Sequence, residues 1–247
     1  MSTKPKKIPK EMPEPFMEGL IPTMNHRGFM SETTDSYSRK FANYAGSIDA
    51  ESLDIGCAYG VATLAALENG ARVVACDMDA GHIEVLEGRV PPHRRSQLRT
   101  SVGALPDVSF PAQAFGAILC SRVLHFMLGD EIRRSVQVMA DWLQPGGKLF
   151  LVADSPYTGF WQSVAPEYER RKTAGEEWPG FIADVAPLLG GKLAKGFLPY
   201  LNPLDPDLLV RECQRAGLAI EESGYTGHGA DNDEGNQHAG AIAVKQT

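Results

Sequence analysis

The sequence predicts an α/β protein built on a doubly wound, mostly parallel seven-stranded sheet with an antiparallel C-terminal strand pair and an inserted aromatic-rich cover. Three observations predict it. From about residue 51, short apolar runs alternate with helical stretches, the pattern of βαβ units and a parallel sheet. A glycine-rich turn, Gly56-Cys-Ala-Tyr-Gly60, joins the first run to the first helical stretch. Near the C-terminus two apolar runs flank a long polar loop, which reads as an antiparallel pair at the sheet edge.

The elements follow in order. Ser52 to Ile55 reads as a strand, and Val61 to Glu68 as a helix stopped by Asn69-Gly70, a C-terminal signal. Arg72 to Cys76 reads as the second strand, closed by Asp77, and Ala80 to Glu87 as the second helix, ended before Pro91-Pro92. Leu98 to Val102 and Phe115 to Cys120 read as the third and fourth strands. Ile132, Val136, Met139, Ala140 and Leu143 fall on one face of a helix over 130–143. Gln144-Pro-Gly-Gly147 breaks that helix ahead of a fifth strand, Lys148 to Ala153. Pro206 to Ala216 reads as a helix capped by Gly217, followed by strands at Leu218 to Glu222 and Ala239 to Lys245.

Two regions fall outside this rhythm. Residues 1–15 carry four lysines and four prolines, too little apolar surface to bury, so a disordered arm is expected ahead of a single domain over 16–247. Residues 154–206 hold Tyr157, Phe160, Trp161, Tyr168, Trp178, Phe181, Phe197 and Tyr200. They are expected to form an acceptor-binding cover inserted after the fifth strand, with Trp161 and Trp178 as leading contacts.

Composition excludes several function classes. The 247 residues carry a net charge of −7 and are 43% apolar, which suits a soluble globular core. A pI near 5.4 opposes the basic face that nucleic acid requires. No apolar run approaches a membrane span, and the basic start of the chain lacks the apolar stretch of a secretory signal. A cytoplasmic location is expected. Cys57, Cys76, Cys120 and Cys213 lie far apart with no zinc-type spacing, so they read as small buried hydrophobes. The stretch from His228 to His238 reads as a solvated loop, and no metal is expected.

The informative stretch is Leu53-Asp-Ile-Gly-Cys-Ala-Tyr-Gly60. Small residues at 56, 58 and 60 let the backbone turn tightly and approach a ligand. The helix that follows points free N–H groups into the same space. Asp77 ends the next strand, and at the carboxyl edge of such a sheet its carboxylate can accept ribose hydroxyls. A dinucleotide needs Gly-x-Gly-x-x-Gly to seat a pyrophosphate. Here Ala58 and Val61 replace two of those glycines, and Asp54 would repel phosphate while suiting an ammonium. The balance favours S-adenosylmethionine over a nicotinamide cofactor. An NAD(P)-dependent oxidoreductase and a non-catalytic S-adenosylmethionine-binding protein remain as alternatives.

On this motif, together with Leu105-Pro-Asp-Val-Ser-Phe110, Phe115 to His125, and Leu143-Gln-Pro-Gly-Gly-Lys-Leu-Phe150, the chain resembles class I S-adenosylmethionine-dependent methyltransferases, in the subgroup often called type 11. The likeness covers roughly residues 35–153 and implies a Rossmann-like sheet. It implies a methyl transfer to an O, N or C atom of a small-molecule acceptor, leaving S-adenosylhomocysteine. By resemblance, Asp54 and the backbone at Gly56, Cys57, Ala58 and Gly60 hold the methionine end. Asp77 takes the ribose, Met78 lies against the adenine, and Ser101 and Val102 meet the adenine edge. Ser101 departs from the family's usual acid. Ser121 lies near the sulfonium, and Tyr37 closes over the cofactor. The asparagine-proline-proline-tyrosine signature of DNA-amino and glutamine methylation is absent, since Cys120-Ser-Arg-Val123 occupies its place. No catalytic base is marked by a motif; His125 is a weak candidate. The expected partner is a small-molecule acceptor, with neither nucleic acid nor membrane, and a homodimer is left open.

Overall fold

The computed structural model describes residues 11–17, 19–159, 161–193, 198–227 and 234–247. Two short strands come first, β1 (Leu20–Pro22) and β2 (Phe29–Ser31), paired antiparallel as a hairpin. The helix α1 (Ser36–Gly46) follows, its N-terminus capped by Asp35, which accepts from the Ser38 N–H. Then come β3 (Ser52–Ile55), α2 (Val61–Glu68), β4 (Val73–Asp77), α3 (Ala80–Arg89), β5 (Leu98–Val102), β6 (Phe115–Ser121), α4 (Gly129–Trp142) and β7 (Leu143–Asp154). The chain ends with α5 (Ala165–Thr173), α6 (Ala186–Leu193), α7 (Pro206–Arg215), β8 (Leu218–Thr226) and β9 (His238–Lys245).

Seven strands form one sheet in the order β5-β4-β3-β6-β7-β9-β8. β3, β4, β5, β6 and β7 run parallel, and β9 pairs antiparallel with both β7 and β8. The mixed, Rossmann-like sheet expected from the strand–helix alternation is therefore present. Its chain order reverses between β3 and β6, which places a crevice at their carboxyl ends.

Strand alternation sets the two faces of this sheet. Leu53, Ile55, Val74, Cys76, Ile118 and Cys120 pack toward α4 and α7. Val73, Ala75, Ala117, Leu119, Phe150 and Val152 pack toward α1, α2 and α3. The predicted face of α4 is the buried one, with Ile132, Val136, Met139 and Ala140 all inside. All four cysteines are buried free thiols. β7 begins at Leu143 rather than Lys148, because Leu143 pairs with Phe115 across a register shift, the geometry of a bulge.

The N-terminal hairpin has no counterpart among the predicted elements. Thr23 closes its turn, with its N–H and its hydroxyl both donating to the Gly28 carbonyl at 3.0 Å. Residues 1–10 of the expected disordered arm lie outside the described residues. Of the remainder, Met12 packs on the cluster of Ile21, Tyr59 and Val85. The 154–206 segment builds its own small core from Trp161, Val185, Leu189 and Leu201. Phe160, Phe197 and His228 lie outside the described residues. Among the described residues, no helix is long and apolar enough to cross a membrane, and no group of side chains is placed to hold a metal ion.

Candidate active site

The crevice between β3 and β6 opens into a cavity of about 250 Å³. Its floor is the loop after β3, from Asp54 to Ala58, together with Asp77 and Met78 after β4 and Ser121 to Val123 after β6. Gly56 has φ +78°, and a Cβ there would meet Val123 Cγ2 at 2.2 Å. Glycine at 56 therefore serves both the turn and the close approach of the next loop. Ala58 also lies in the left-handed region, at φ 45°. That conformation costs an alanine roughly 1–2 kcal/mol, and the Ala58 N–H bond to Asp77 Oδ2, at 2.8 Å, helps to hold it.

Asp77 is 5% exposed and well occupied. Oδ1 accepts from the Asp79 N–H at 2.9 Å and faces His82 Nδ1 at 2.9 Å. With Oδ2 taken once by Ala58, three of a carboxylate's roughly four acceptor positions are filled. One remains. Asp54, 3% exposed, accepts from the Thr63 hydroxyl at 2.6 Å. Burial pushes its carboxyl up to about 6, the nearby charge of Asp77 adds to this, and the Thr63 bond opposes it.

A second polar group stands beside the floor. Asp35 accepts from the Ser38 hydroxyl at 2.9 Å and from Arg122 Nη2 at 3.0 Å. Burial alone would raise Asp35, but Arg122 and Ser38 overcome it and hold the carboxyl below its usual value. Ser38 Oγ reaches Ser121 Oγ at 3.4 Å, so this network ends at the predicted Ser121.

The roof is the feature that sequence reasoning missed. Residues of the hairpin and its exit, among them Thr23, Asn25, Gly28, Phe29 and Thr34, line the cavity. Gly28 lies so close to Phe126 that a Cβ would sit 2.8 Å from the ring. The available signal was the polar turn Asn25-His-Arg-Gly28 between Leu20-Ile21 and Phe29-Met30, a hairpin pattern.

Of the predicted site residues, Asp54, Gly56, Cys57, Ala58, Asp77, Met78 and Ser121 line this one cavity. Gly60, Ser101, Val102 and Tyr37 do not. Gly60 serves packing, since a Cβ there would meet Leu86 Cδ1 at 2.2 Å. Val102 is 57% exposed on the edge strand, and the cavity wall is instead the next three residues, Gly103 to Leu105. Tyr37 turns inward against the sheet, where a Cβ on Gly240 would lie 2.2 Å from its ring. Its neighbour Ser38, about 100° further round α1, faces the cavity instead.

His125 faces a separate hollow beside Asp154 and Trp161. Its Nδ1 accepts from the Asp154 N–H at 3.1 Å, which leaves the proton on Nε2 and occupies the basic nitrogen. Burial lowers its proton affinity further. The geometry removes His125 as a general base. Trp161 is 2% exposed and donates to Asp154 Oδ2 at 3.2 Å. Trp178 lies against Gly129 and under the Arg211 guanidinium, 4.6 Å from its ring. Neither tryptophan lines the cavity; from the described part of 154–206 the lining residue is Tyr200.

Comparison with known proteins agrees with this fold. Residues 53–151 match the family model described as a methyltransferase domain. The cypemycin N-terminal methyltransferase of a Streptomyces species is 30% identical over 106 residues, 42% of each chain. The chain thus aligns with about two fifths of that relative's length. Among solved structures, an S-adenosylmethionine-dependent methyltransferase from Methanosarcina mazei superposes with a TM-score of 0.61 at 18% identity, over 80% of this chain and 93% of that one. The 1,6-didemethyltoxoflavin-N1-methyltransferase of Burkholderia thailandensis, solved with S-adenosylhomocysteine and its substrate, gives 0.53 at 14% identity, over 86% and 79%. The chain carries a methyltransferase domain over residues 53–151, set in the fold of the S-adenosylmethionine-dependent methyltransferases.

Proposed function

We propose that this protein transfers a methyl group from S-adenosylmethionine to a small-molecule acceptor. The observation that carries the proposal is the pair of buried carboxylates, Asp54 and Asp77, on one cavity floor on either side of the Gly56–Ala58 backbone. Asp54 is hydrogen-bonded by Thr63 and has a raised proton affinity. A buried carboxylate in that state favours a cation, and the ammonium of S-adenosylmethionine supplies one. The open acceptor position on Asp77 suits a ribose hydroxyl. The arginine on the floor, Arg122, is already paired with Asp35 at 3.0 Å, so a pyrophosphate would face Asp54 and Asp77 without a cation of its own, and the residues fit a nicotinamide dinucleotide poorly.

The cofactor brings a methyl group on a positively charged sulfur, which is already a good leaving group. The chain's own contribution is alignment and exclusion of water. Asp54 holds the ammonium end of the ligand and Asp77 its ribose. The hairpin closes the cavity from above, where Phe29 and Phe126 add apolar surface beside the polar Thr23, Asn25 and Thr34. Tyr200 and the hairpin exit border the space left for the acceptor. His125 is not available as a base, so acceptors that are nucleophilic without help suit the site. The named relative is an N-terminal methyltransferase and one named structural neighbour an N1-methyltransferase, so nitrogen acceptors come first.

Calorimetry with S-adenosylmethionine, S-adenosylhomocysteine, NAD and NADP tests the cofactor class. Binding of the first two alone is expected. Turnover with labelled methyl donor over amine, phenol and carboxylate acceptors then tests catalysis. Binding of a nicotinamide, or ligand binding with no transfer to any acceptor class, would overturn the proposal.

A further inference from the structure

We propose that His82 is a positioning residue that couples the Asp77 carboxylate to the hairpin roofing the cavity. The inference rests on the reading of that cavity as the cofactor site. His82 sits on α3 and is 1% exposed. The Met24 N–H, in the hairpin turn, donates to its Nε2 at 3.0 Å. Only an unprotonated nitrogen accepts, so the ring's proton is on Nδ1. That nitrogen lies 2.9 Å from Asp77 Oδ1. The imidazole therefore relays a bond from the roof to the floor, accepting on one side and donating on the other.

The surroundings give the ring little freedom. Tyr59 meets it edge-on, with centroids 4.9 Å apart, and its own hydroxyl donates to the Pro22 carbonyl at 2.9 Å. Ile21, Tyr59 and Val85 form an apolar cluster against which Met24 and Met30 pack. The other buried positions in the middle of α3 are Ile83, Val85 and Leu86. An apolar side chain would satisfy packing at 82 equally well, while a buried imidazole must have both nitrogens bonded to offset desolvation. Both bonds point at elements of one cavity. Thr23 and Asn25, on either side of Met24, line that cavity together with Asp77.

The consequence is a linkage. A ligand that bonds to Asp77 and lies beneath the hairpin favours the conformation in which both His82 bonds are made. By reciprocity, holding the hairpin down strengthens that ligand by the same factor. Among the described residues, no other side chain bonds both the hairpin backbone and the ribose carboxylate.

Two variants test this. His82→Phe keeps the ring volume and removes both bonds. Met24→Pro deletes the N–H and leaves the His82–Asp77 pair intact. The readouts are S-adenosylhomocysteine affinity by calorimetry and amide exchange over residues 20–31, with and without that ligand. In the wild type the ligand is expected to slow exchange of 20–31. In His82→Phe the affinity falls about tenfold and the ligand no longer slows exchange there. Met24→Pro shows the same loss of ligand-dependent protection with a smaller fall in affinity. If His82→Phe does not fold, Met24→Pro alone decides. Variants that bind within twofold of wild type, with 20–31 still protected by the ligand, overturn the coupling and leave the cofactor reading standing. A wild type that does not bind the ligand overturns both. Exchange that is faster by an equal factor with and without ligand, at unchanged affinity, marks His82 as a purely structural tether and also overturns the proposal.

Discussion

The Ala58 N–H donates to Asp77 Oδ2 at 2.8 Å, tying the loop after β3 to the end of β4. Two elements of one cavity floor are thus already bonded to one another. Asp77 therefore has a share in stability beside the ligand contact proposed for it.

Asp77→Ala is expected to weaken S-adenosylhomocysteine binding by about 10- to 100-fold, and also to destabilise the fold. It strands the Ala58 and Asp79 N–H groups and His82 Nδ1, and each buried unpaired donor costs about 1–3 kcal/mol. Urea unfolding beside calorimetry checks both halves. A variant with lowered affinity and unchanged stability would mean that those donors find water.

Left-handed positions on the floor should respond in opposite ways. Gly56→Ala adds a Cβ 2.2 Å from Val123 Cγ2 at φ +78° and should cost about 2–4 kcal/mol through strain and overpacking. Ala58→Gly relieves a residue at φ 45°, offsetting the roughly 0.4–1 kcal/mol by which glycine loosens the unfolded chain. It should lie within about 1 kcal/mol of wild type. Thermal melts of the two variants distinguish them.

Asp54 gives a pH dependence with two opposite signs. Burial and the charge of Asp77 raise its carboxyl from 3.8 to about 6 in the fold. An acid raised on folding stabilises the native state only while protonated, so its contribution falls as pH rises from about 4 to about 6. Binding of a cationic ligand runs the other way, because it needs the carboxylate. Affinity for S-adenosylmethionine should drop about tenfold between pH 7.5 and pH 5, and Asp54→Asn should flatten that profile at a lower affinity. A profile for Asp54→Asn that matches wild type would place the titrating group elsewhere.

Trp161→Ala is expected to cost about 3–5 kcal/mol, since the side chain is 2% exposed at the centre of the 154–206 core and holds Asp154. Cofactor affinity should move less than threefold. A large loss of cofactor affinity at unchanged stability would return Trp161 to the binding surface.

Periodicity and turn chemistry made much of this protein legible in its sequence. The strands at 52–55 and 98–102 and the helix at 61–68 lie where the apolar runs and the Asn69-Gly70 stop place them. These features are local: side-chain spacing fixes which face is buried, and glycine fixes where the chain reverses. The β3 turn and Asp77 were legible for the same reason, because a parallel sheet brings successive strand ends to one edge whatever lies between them. Tertiary structure alone decided the rest. Whether Tyr37 or Ser38 faces the cavity depends on the rotation of α1 against the sheet, a difference of one residue on a helix with an apolar side. Whether His125 is a base depends on a backbone N–H 29 residues away in sequence. The roof depends on a hairpin of two three-residue strands, too short to show a period, held down by a bond from Met24 to His82 across 58 residues. Contacts at that separation come from packing, and nothing in the local pattern of either segment encodes them.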